Sequence, residues 1–172
     1  TKSGELVGAV YGFLLVFLKV LRELKPDFIA ATFDLPGLTF RHEKFKEYKA
    51  NRPKTPEGIA EQLPKVKEIL KEFNVAIFEK PGFEADDIIA TIASQAIKEK
   101  HQDLETIILS GDSDTLQLVD EAIKIYFLRK GVKDTVLYDE NKVQEKYSGL
   151  PPKKLVDFKA LKGDPTDNIP GA

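Results

Sequence analysis

Residues 105–112 read Glu-Thr-Ile-Ile-Leu-Ser-Gly-Asp, an apolar run that ends directly on an acidic turn. Residues 28–34, Phe-Ile-Ala-Ala-Thr-Phe-Asp, repeat the pattern. Short apolar runs bounded by turn residues are typical of buried strands in a parallel sheet. The carboxyl ends of such strands lie at one edge of the sheet, where ligands bind. The pattern therefore predicts that the acidic residues after these strands lie close together.

Helical periodicity separates the predicted strands. Apolar residues recur at helical spacing from Leu6 to Leu21, and Pro26 ends that helix. Further helices are predicted over 57–73, 84–100, 114–119, 139–147 and 152–162. Strands are predicted over 28–33, 75–79, 105–110, 123–128 and 135–138, with a turn at Lys130-Gly131. We therefore expect an α/β fold with a mostly parallel central sheet and helices on both faces.

Composition excludes several classes of protein. The chain has no cysteine, which rules out disulfides and thiolate metal sites and is compatible with a cytoplasmic location. Its net charge is only −2, so any contact with nucleic acid must come from a local basic patch. The longest apolar run, Val7 to Leu18, is shorter than the ~20 residues that a membrane helix needs. We expect no membrane segment.

Acidic residues form four clusters at loop or helix-start positions. Their carboxylates belong to Asp34, Glu84, Asp86, Asp87, Asp112, Asp114, Asp164 and Asp167. So many negative charges in one cleft would repel one another, and cations would relieve that repulsion. Carboxylate oxygens suit hard ions such as Mg²⁺ or Mn²⁺, and two such ions can drive phosphodiester hydrolysis. The sequence therefore predicts a two-ion site that binds Mg²⁺ or Mn²⁺.

Each acidic cluster also has a purely structural interpretation. Asp34 could end a strand as an ordinary turn residue. The acids from Glu84 to Asp87 could favour the helix dipole in a first turn, and Asp112 could cap the helix that follows it. The coincidence of four clusters favours metal binding, with one or two of the eight acids expected to be structural.

A basic segment follows the first predicted strand. From position 41 to 54 it carries Arg41, Lys44, Lys46, Lys49, Arg52 and Lys54, interleaved with Phe40, Phe45 and Tyr48. Basic and aromatic side chains together can contact phosphates and stack on bases. A solvated surface loop is the alternative. A second, weaker patch includes Lys159 and Lys162, for which an ordinary amphipathic helix face is an equal alternative.

Five motifs in this sequence resemble one nuclease family. They are Phe40-Arg-His42, Tyr48-Lys-Ala-Asn-Arg52-Pro53, Glu84-Ala-Asp-Asp87, Gly111-Asp-Ser-Asp114 and Gly163-Asp-Pro-Thr-Asp-Asn-Ile-Pro-Gly171. Together they resemble the 5′-3′ exonuclease domain of bacterial DNA polymerase I. The resemblance implies a PIN-like, resolvase-like nuclease domain over residues 1–150, with a basic helical arch at about 36–56. Residues 151–172 would begin a C-terminal helix-hairpin-helix region.

The resemblance also implies a structure-specific 5′ nuclease that cuts DNA at 5′ flaps or nicks. By motif position, Asp34, Glu84 and Asp86 would hold the first ion, and Asp87 would support either site. Asp112, Asp114, Asp164 and Asp167 would hold the second ion. Lys49 and Arg52 would act in catalysis on the scissile phosphate. DNA would be bound by Arg41, Tyr48, Lys49 and Arg52, and by Lys159 and Lys162 of the second patch.

The two ends of the chain depart from the family pattern. Family members open with a strand carrying an Asp-Gly pair, but this chain starts at Thr1 and has no methionine. It stops at Ala172, where a Gly-rich helix-hairpin-helix is expected. We therefore expect a domain shortened at both ends, from a parent protein that could carry a fused polymerase domain. The alternatives are a catalytically impaired fragment that binds DNA junctions, and an RNA-directed PIN nuclease.

Overall fold

The computed structural model describes residues 6–53, 55–98, 104–130 and 134–172. The chain divides into two compact units. The first contains Thr1–Phe33 and Pro53–Glu79, and the second contains Asp34–Arg52 and Lys80–Ala172. We call them unit one and unit two. These boundaries differ from the predicted division at residue 150, which stays a prediction about domain organisation.

Unit one packs helices against a small parallel sheet. Its elements are α1 (Gly8–Leu24), β1 (Ala30–Thr32), α3 (Glu57–Ala60), α4 (Leu63–Glu72) and β2 (Ala76–Phe78). Strands β1 and β2 pair in parallel, with Ala30 opposite Ala76. The core joins Val10 and Phe17 of α1 to Leu70 of α4. Lys25 ends α1 in a left-handed conformation, with its N–H bonded to the carbonyl of Leu21.

Unit two contains the remaining strands and helices. They are α2 (Phe40–Lys44), α5 (Ala85–Lys98), β3 (Thr106–Ser110), β4 (Ile123–Lys130), β5 (Asp134–Tyr138), α6 (Glu140–Lys146) and α7 (Leu155–Lys162), with short 3-10 helices at Ser113–Leu118 and Pro152–Lys154. Strand β4 lies between β3, which is parallel to it, and β5, which is antiparallel. Leu116, Ile125 and Val143 are fully buried at the centre of the core.

The predicted α/β class is confirmed, with differences in detail. Within the described ranges the strands form two small sheets instead of one. Strand β5 is antiparallel because only residues 131–133 separate it from β4, and a parallel pair needs a crossover of about a dozen residues. The helix predicted over 57–73 is interrupted between α3 and α4. Lys130 of the predicted Lys130-Gly131 turn ends β4, whereas Gly131 and the end of the helix predicted to Lys100 lie outside the described residues.

Among its described residues, the predicted arch is helical only over α2. The Thr39 N–H donates a hydrogen bond to Nδ1 of His42 at 3.1 Å, and this bond caps the helix start. Phe45 leaves the helix in an extended conformation, and the chain continues as turns to Arg52. Lys49 takes a left-handed backbone conformation with φ of 56°. Turns therefore present most of the basic residues in this segment.

Over the described ranges, no helix has both the length and the apolar content required to cross a bilayer.

Candidate metal and nucleic-acid site

All the acids predicted to hold metal lie in unit two. One group comprises Asp34, Glu84, Asp86 and Asp112, and we call it the first acid group. Partial burial raises the pKa of Asp86, and the negative charges of the other three acids raise it further. Asp86 keeps access to solvent even though protein atoms surround much of its carboxyl. These charges act on Asp86 because the other three acids lie near it.

The start of α5 holds this group in place. The Ala85 N–H donates to Oδ1 of Asp34 at 2.8 Å, linking the second residue after β1 to the first turn of α5. Asp112 accepts the Asp114 N–H at 2.9 Å and caps the 3-10 helix that follows β3. The structural interpretation of Asp112 is therefore correct for one oxygen, and no described residue donates a hydrogen bond to the other.

The described part of the basic segment, residues 41–53, contacts the first acid group through Glu84. Lys49 Nζ donates to Oε1 of Glu84 at 2.8 Å, and the Tyr48 hydroxyl donates to Oε2 at 3.1 Å. Tyr48 is only 7% exposed, with its ring against the edge of His42. Burial raises the pKa of Tyr48, and the charges of Glu84 and Asp167 add to the effect. In this conformation Tyr48 positions Glu84 and offers little ring surface for a base.

Asp87 is engaged by a structural ion pair. Both of its oxygens accept hydrogen bonds from the guanidinium of Arg41, each at 2.7 Å. Its Oδ2 also accepts the Glu84 N–H at 2.9 Å, at the start of α5. The hydrogen bonds from Arg41 hold the pKa of Asp87 below its ordinary value despite partial burial. This carboxylate therefore joins the basic segment to α5.

Asp114, Asp164 and Asp167 form the second acid group, and each of them contacts a cation. Lys159 Nζ lies 2.6 Å from Oδ1 of Asp114 and 3.2 Å from Oδ2 of Asp164. Arg52 forms an ion pair with Asp167. Burial acts to raise the pKa of Asp164, but the hydrogen bond from Lys159 and two backbone N–H groups outweigh it and lower the pKa.

The loop from Gly163 to Gly171 is shaped by its own backbone. Asp164 and Ile169 exchange two backbone hydrogen bonds of 2.8 Å, and Oδ1 of Asp164 accepts the Thr166 N–H at 2.9 Å. Gly163 has φ of +74°, and a Cβ there would collide with the Gly171 nitrogen. Only glycine fits so close a crossing. The glycines at both ends of this motif therefore have a structural purpose that is distinct from its aspartates.

Two asparagines that we did not select from the sequence join the basic segment to this loop. Asn51 Nδ2 donates to the Pro165 carbonyl at 2.8 Å, and Asn168 Nδ2 donates to the Glu47 carbonyl at 2.9 Å. Both asparagines lie inside motifs quoted above, so their position could have indicated them. They hold the basic segment beside the second acid group.

Most of the cations predicted to bind DNA are paired with predicted metal ligands. Arg41, Lys49, Arg52 and Lys159 each contact an acid of the two groups or Asp87. Lys162 differs, because its Nζ lies 5.6 Å from the centre of the Phe158 ring and no carboxylate pairs with it in the described part of the chain. Phosphate binding by the paired cations would therefore require them to leave their carboxylates.

The chemistry of these donors fits hard divalent ions. Oδ1 of Asp114 and Oδ1 of Asp167 are buried. Each lies beside the side chain of a cation, but neither accepts a hydrogen bond of normal geometry from a described residue. Buried carboxylate oxygens with spare lone pairs are ligands for such ions. Within the same residues, no three His, Cys, Asp or Glu side chains already surround a single point. Side-chain movement would therefore have to complete a ligand shell.

Comparison with known proteins identifies the family. Residues 1–148 match the family described as the 5′-3′ exonuclease, N-terminal resolvase-like domain. The chain belongs to this family. It is 43% identical over 171 residues to DNA polymerase I of Mycobacterium bovis, covering 99% of this chain and 18% of that protein. It is 42% identical over 169 residues to DNA polymerase I of Bacillus subtilis, covering 98% of this chain and 19% of that protein.

Solved structures show the same fold for this exonuclease-family chain. The zinc-bound T5 5′-exonuclease superposes with a TM-score of 0.78 at 22% identity, covering 98% of this chain and 63% of that chain. A bacteriophage T5 flap endonuclease, in a pseudo-enzyme–product complex with DNA and metal ions, has a TM-score of 0.76 at 22% identity. That match covers 96% of this chain and 61% of the other. The predicted PIN-like, resolvase-like architecture is confirmed.

Proposed function

We propose that this domain is a structure-specific 5′ nuclease that hydrolyses DNA phosphodiester bonds at 5′ flaps or nicks with two divalent ions, Mg²⁺ or Mn²⁺. The observation that carries the proposal is the position of Asp34 at the start of α5 beside Glu84 and Asp86, where it accepts the Ala85 N–H, with Asp112 near enough for its charge to raise the pKa of Asp86. Family membership supports a nuclease, and the T5 enzymes of the same fold bind metal ions and DNA.

The acids divide into two sets of ligands in this proposal. Asp34, Glu84 and Asp86 would serve one ion, and Asp112, Asp114, Asp164 and Asp167 would serve the other. Asp87 would support the site indirectly, because Arg41 and a backbone N–H already occupy its oxygens. When bound, such ions activate a coordinated water and neutralise charge on the phosphate.

The basic segment would orient the substrate. Lys49 pairs with Glu84, and Arg52 pairs with Asp167. When DNA binds, both cations would leave these carboxylates and contact the scissile phosphate. Their positive charges would then stabilise the charge that develops on the phosphate oxygens. Arg41, Lys159 and Lys162 would contact the DNA backbone further along, without direct base recognition. Tyr48 would keep Glu84 oriented through its hydroxyl.

The DNA polymerase I relatives support a polymerase domain in the parent protein, since the chain spans only 18–19% of their length. That arrangement would place flap removal beside DNA synthesis in one polypeptide.

Cleavage of a labelled 5′-flap DNA in Mg²⁺ tests the nuclease proposal. We expect cutting at the junction of the single strand and the duplex, and a loss of at least ~100-fold in the Asp112→Asn variant. Asparagine keeps the oxygen that caps the 3-10 helix, so the fold is preserved. Asp157→Asn, which alters an exposed acid paired with Lys154, is the matched control. Equal rates for Asp112→Asn and Asp157→Asn would reject the proposed ligands.

A second candidate is a domain that binds DNA junctions without cutting them. It is favoured by the absence, among the described residues, of three acids arranged around one point. Binding of the same flap DNA in EDTA, measured by fluorescence anisotropy, together with no cleavage in Mg²⁺ or Mn²⁺, would support this candidate over the nuclease. Parallel measurements on an RNA flap would distinguish the RNA-directed alternative.

A further inference from the structure

The ammonium of Lys159 occupies an unusual position between two acids from different segments. Asp114 lies in the 3-10 helix after β3, at 2.6 Å from Nζ, and Asp164 lies in the loop after α7, at 3.2 Å. The side chains of Lys159, Asp114 and Asp164 are 31%, 42% and 25% exposed, so the cluster is only partly shielded from water. One positive charge here offsets two negative ones.

The neighbouring lysines do not share this arrangement. Lys154, in the short 3-10 helix before α7, pairs with Asp157 at 2.9 Å, and both side chains are more than 60% exposed. Lys162, in the last turn of α7, lies over the Phe158 ring. Within the described part of α7 and its flanks, only Lys159 contacts two acids of the second acid group. Its position is therefore specific to the carboxylates and is not a general property of this helix.

We propose that Lys159 is an internal counterion of the second acid group, which a divalent ion must displace before it can bind Asp114 and Asp164. The inference rests on the proposed function, since it takes these acids as metal ligands. An ammonium and a divalent ion compete for the same oxygens, because two carboxylates cannot fully satisfy both. The displaced lysine then becomes available to a DNA phosphate.

Metal-binding measurements on the intact chain, without DNA, test this competition. Isothermal titration with Mn²⁺ alone should show about three- to tenfold tighter binding to Lys159→Gln than to the unmodified chain, the range expected when a partly exposed ion pair no longer competes. Lys159→Arg keeps the charge and should bind Mn²⁺ no tighter than the unmodified chain. Lys154→Gln removes the same charge from a neighbouring site, so it controls for long-range electrostatics and should change the affinity less than twofold.

The release of Lys159 can be followed directly. In EDTA, an amine-acylating reagent should label Lys159 slowly, and saturating Mn²⁺ should accelerate its labelling several-fold. Mass spectrometry of the digested protein gives the rate at each lysine, and the rate at Lys154 should not respond to Mn²⁺. Slower or unchanged labelling of Lys159 in Mn²⁺ would overturn the displacement.

The Mn²⁺ titrations distinguish failure of the Lys159 counterion from failure of the proposed two-ion nuclease. Mn²⁺ binding that is equal in Lys159→Gln and the unmodified chain would reject the counterion and leave the metal site intact. Weaker binding in Lys159→Gln would show that the lysine assists the ion, which also rejects the inference. Failure of the unmodified chain to bind Mn²⁺ at all would reject both the counterion and the proposed two-ion chemistry.

Discussion

The two acid groups relieve their electrostatic repulsion in different ways. In the first group, no lysine or arginine of the described chain forms an ion pair with Asp34, Asp86 or Asp112, and burial and neighbouring charges raise the pKa of Asp86. In the second group, Lys159 pairs with Asp114 and Asp164, and Arg52 pairs with Asp167. Glu84, the fourth acid of the first group, pairs with Lys49, so a divalent ion meets one paired acid there and three paired acids in the second group. It therefore gains more at the first group. Filling of the first site before the second is the expected order.

Asp86→Asn gives the largest expected effect on this comparison. It removes a carboxylate that pairs with no lysine or arginine of the described chain, so we expect cleavage of a 5′ flap to fall by at least ~100-fold. Mn²⁺ bound at the tighter site should raise the melting temperature of the unmodified chain, and the Asp86→Asn variant should lose that rise. Cleavage assays and thermal melts with and without Mn²⁺ measure both effects, with Asp157→Asn as control. Retained activity with an intact Mn²⁺ response would remove Asp86 from the site.

Lys49→Gln tests the link between the basic segment and the first acid group. Lys49 contacts Glu84 in this structure, and we expect it to contact phosphate when DNA binds. Loss of one charge aimed at the reacting phosphate should reduce kcat about 100-fold. The affinity for Mn²⁺ should stay the same or rise, because a competing cation is removed. A large loss of Mn²⁺ affinity would instead give Lys49 a role in building the metal site.

Arg41→Met probes the structural pair beside the first acid group. It leaves Asp87 without its bidentate partner, so we expect the free energy of unfolding at pH 7 to fall by about 1–2 kcal/mol. The folded pKa of Asp87 is depressed, so its contribution is present above the unfolded pKa and is lost as pH falls through the folded pKa. The difference between Arg41→Met and the unmodified chain should therefore shrink in acid.

Urea unfolding of both proteins at pH 7 and at pH 3 measures that difference. The double variant Arg41→Met/Asp87→Asn should recover part of the lost stability, because no unpaired carboxylate remains. A loss of stability that is independent of pH would assign the effect to packing of the Arg41 side chain on Phe40.

The smallest expected effect is on the melting temperature of the Asp86→Asn variant in the absence of metal. Asp86 has a raised folded pKa, so the fold loses stability as pH rises from the unfolded pKa through the folded one. An asparagine at this position carries no charge and avoids that loss. In EDTA at pH 7, the Asp86→Asn variant should melt about 1–3 °C higher than the unmodified chain, with little difference near pH 3. A lower melting temperature at pH 7 would show that the Asp86 carboxylate stabilises the fold.

The sequence predicted where the acids lie better than it predicted which residues contact them. Asp34 and Asp112 were predicted from apolar runs that end in acidic turns, and a strand end fixes its next residue within narrow limits. The pairing of Arg41 with Asp87 joins residues 46 positions apart, and no local pattern encodes it. Lys159 was predicted to bind DNA, but its position between Asp114 and Asp164 depends on the packing of α7 against the 3-10 helix.

Tyr48 illustrates a limit of reading aromatic residues from sequence. An aromatic side chain in a basic segment fits a surface that stacks on bases, and it fits an anchor for that segment equally well. The structure buries Tyr48 and directs its hydroxyl to Glu84. The arch was likewise predicted to be helical, but the left-handed conformation of Lys49 is incompatible with a continuous helix. Its role in contacting DNA stays a prediction.

Anomalous scattering from Mn²⁺ soaked into crystals of this chain tests the central claim most directly. The convergence of the acids predicts one strong peak among Asp34, Glu84 and Asp86 and a second, weaker peak beside Asp112, Asp114 and Asp164, with Lys159 moved away from its carboxylates. Peaks confined to other surfaces, or none within ligand distance of Asp86 and Asp112, would contradict the account.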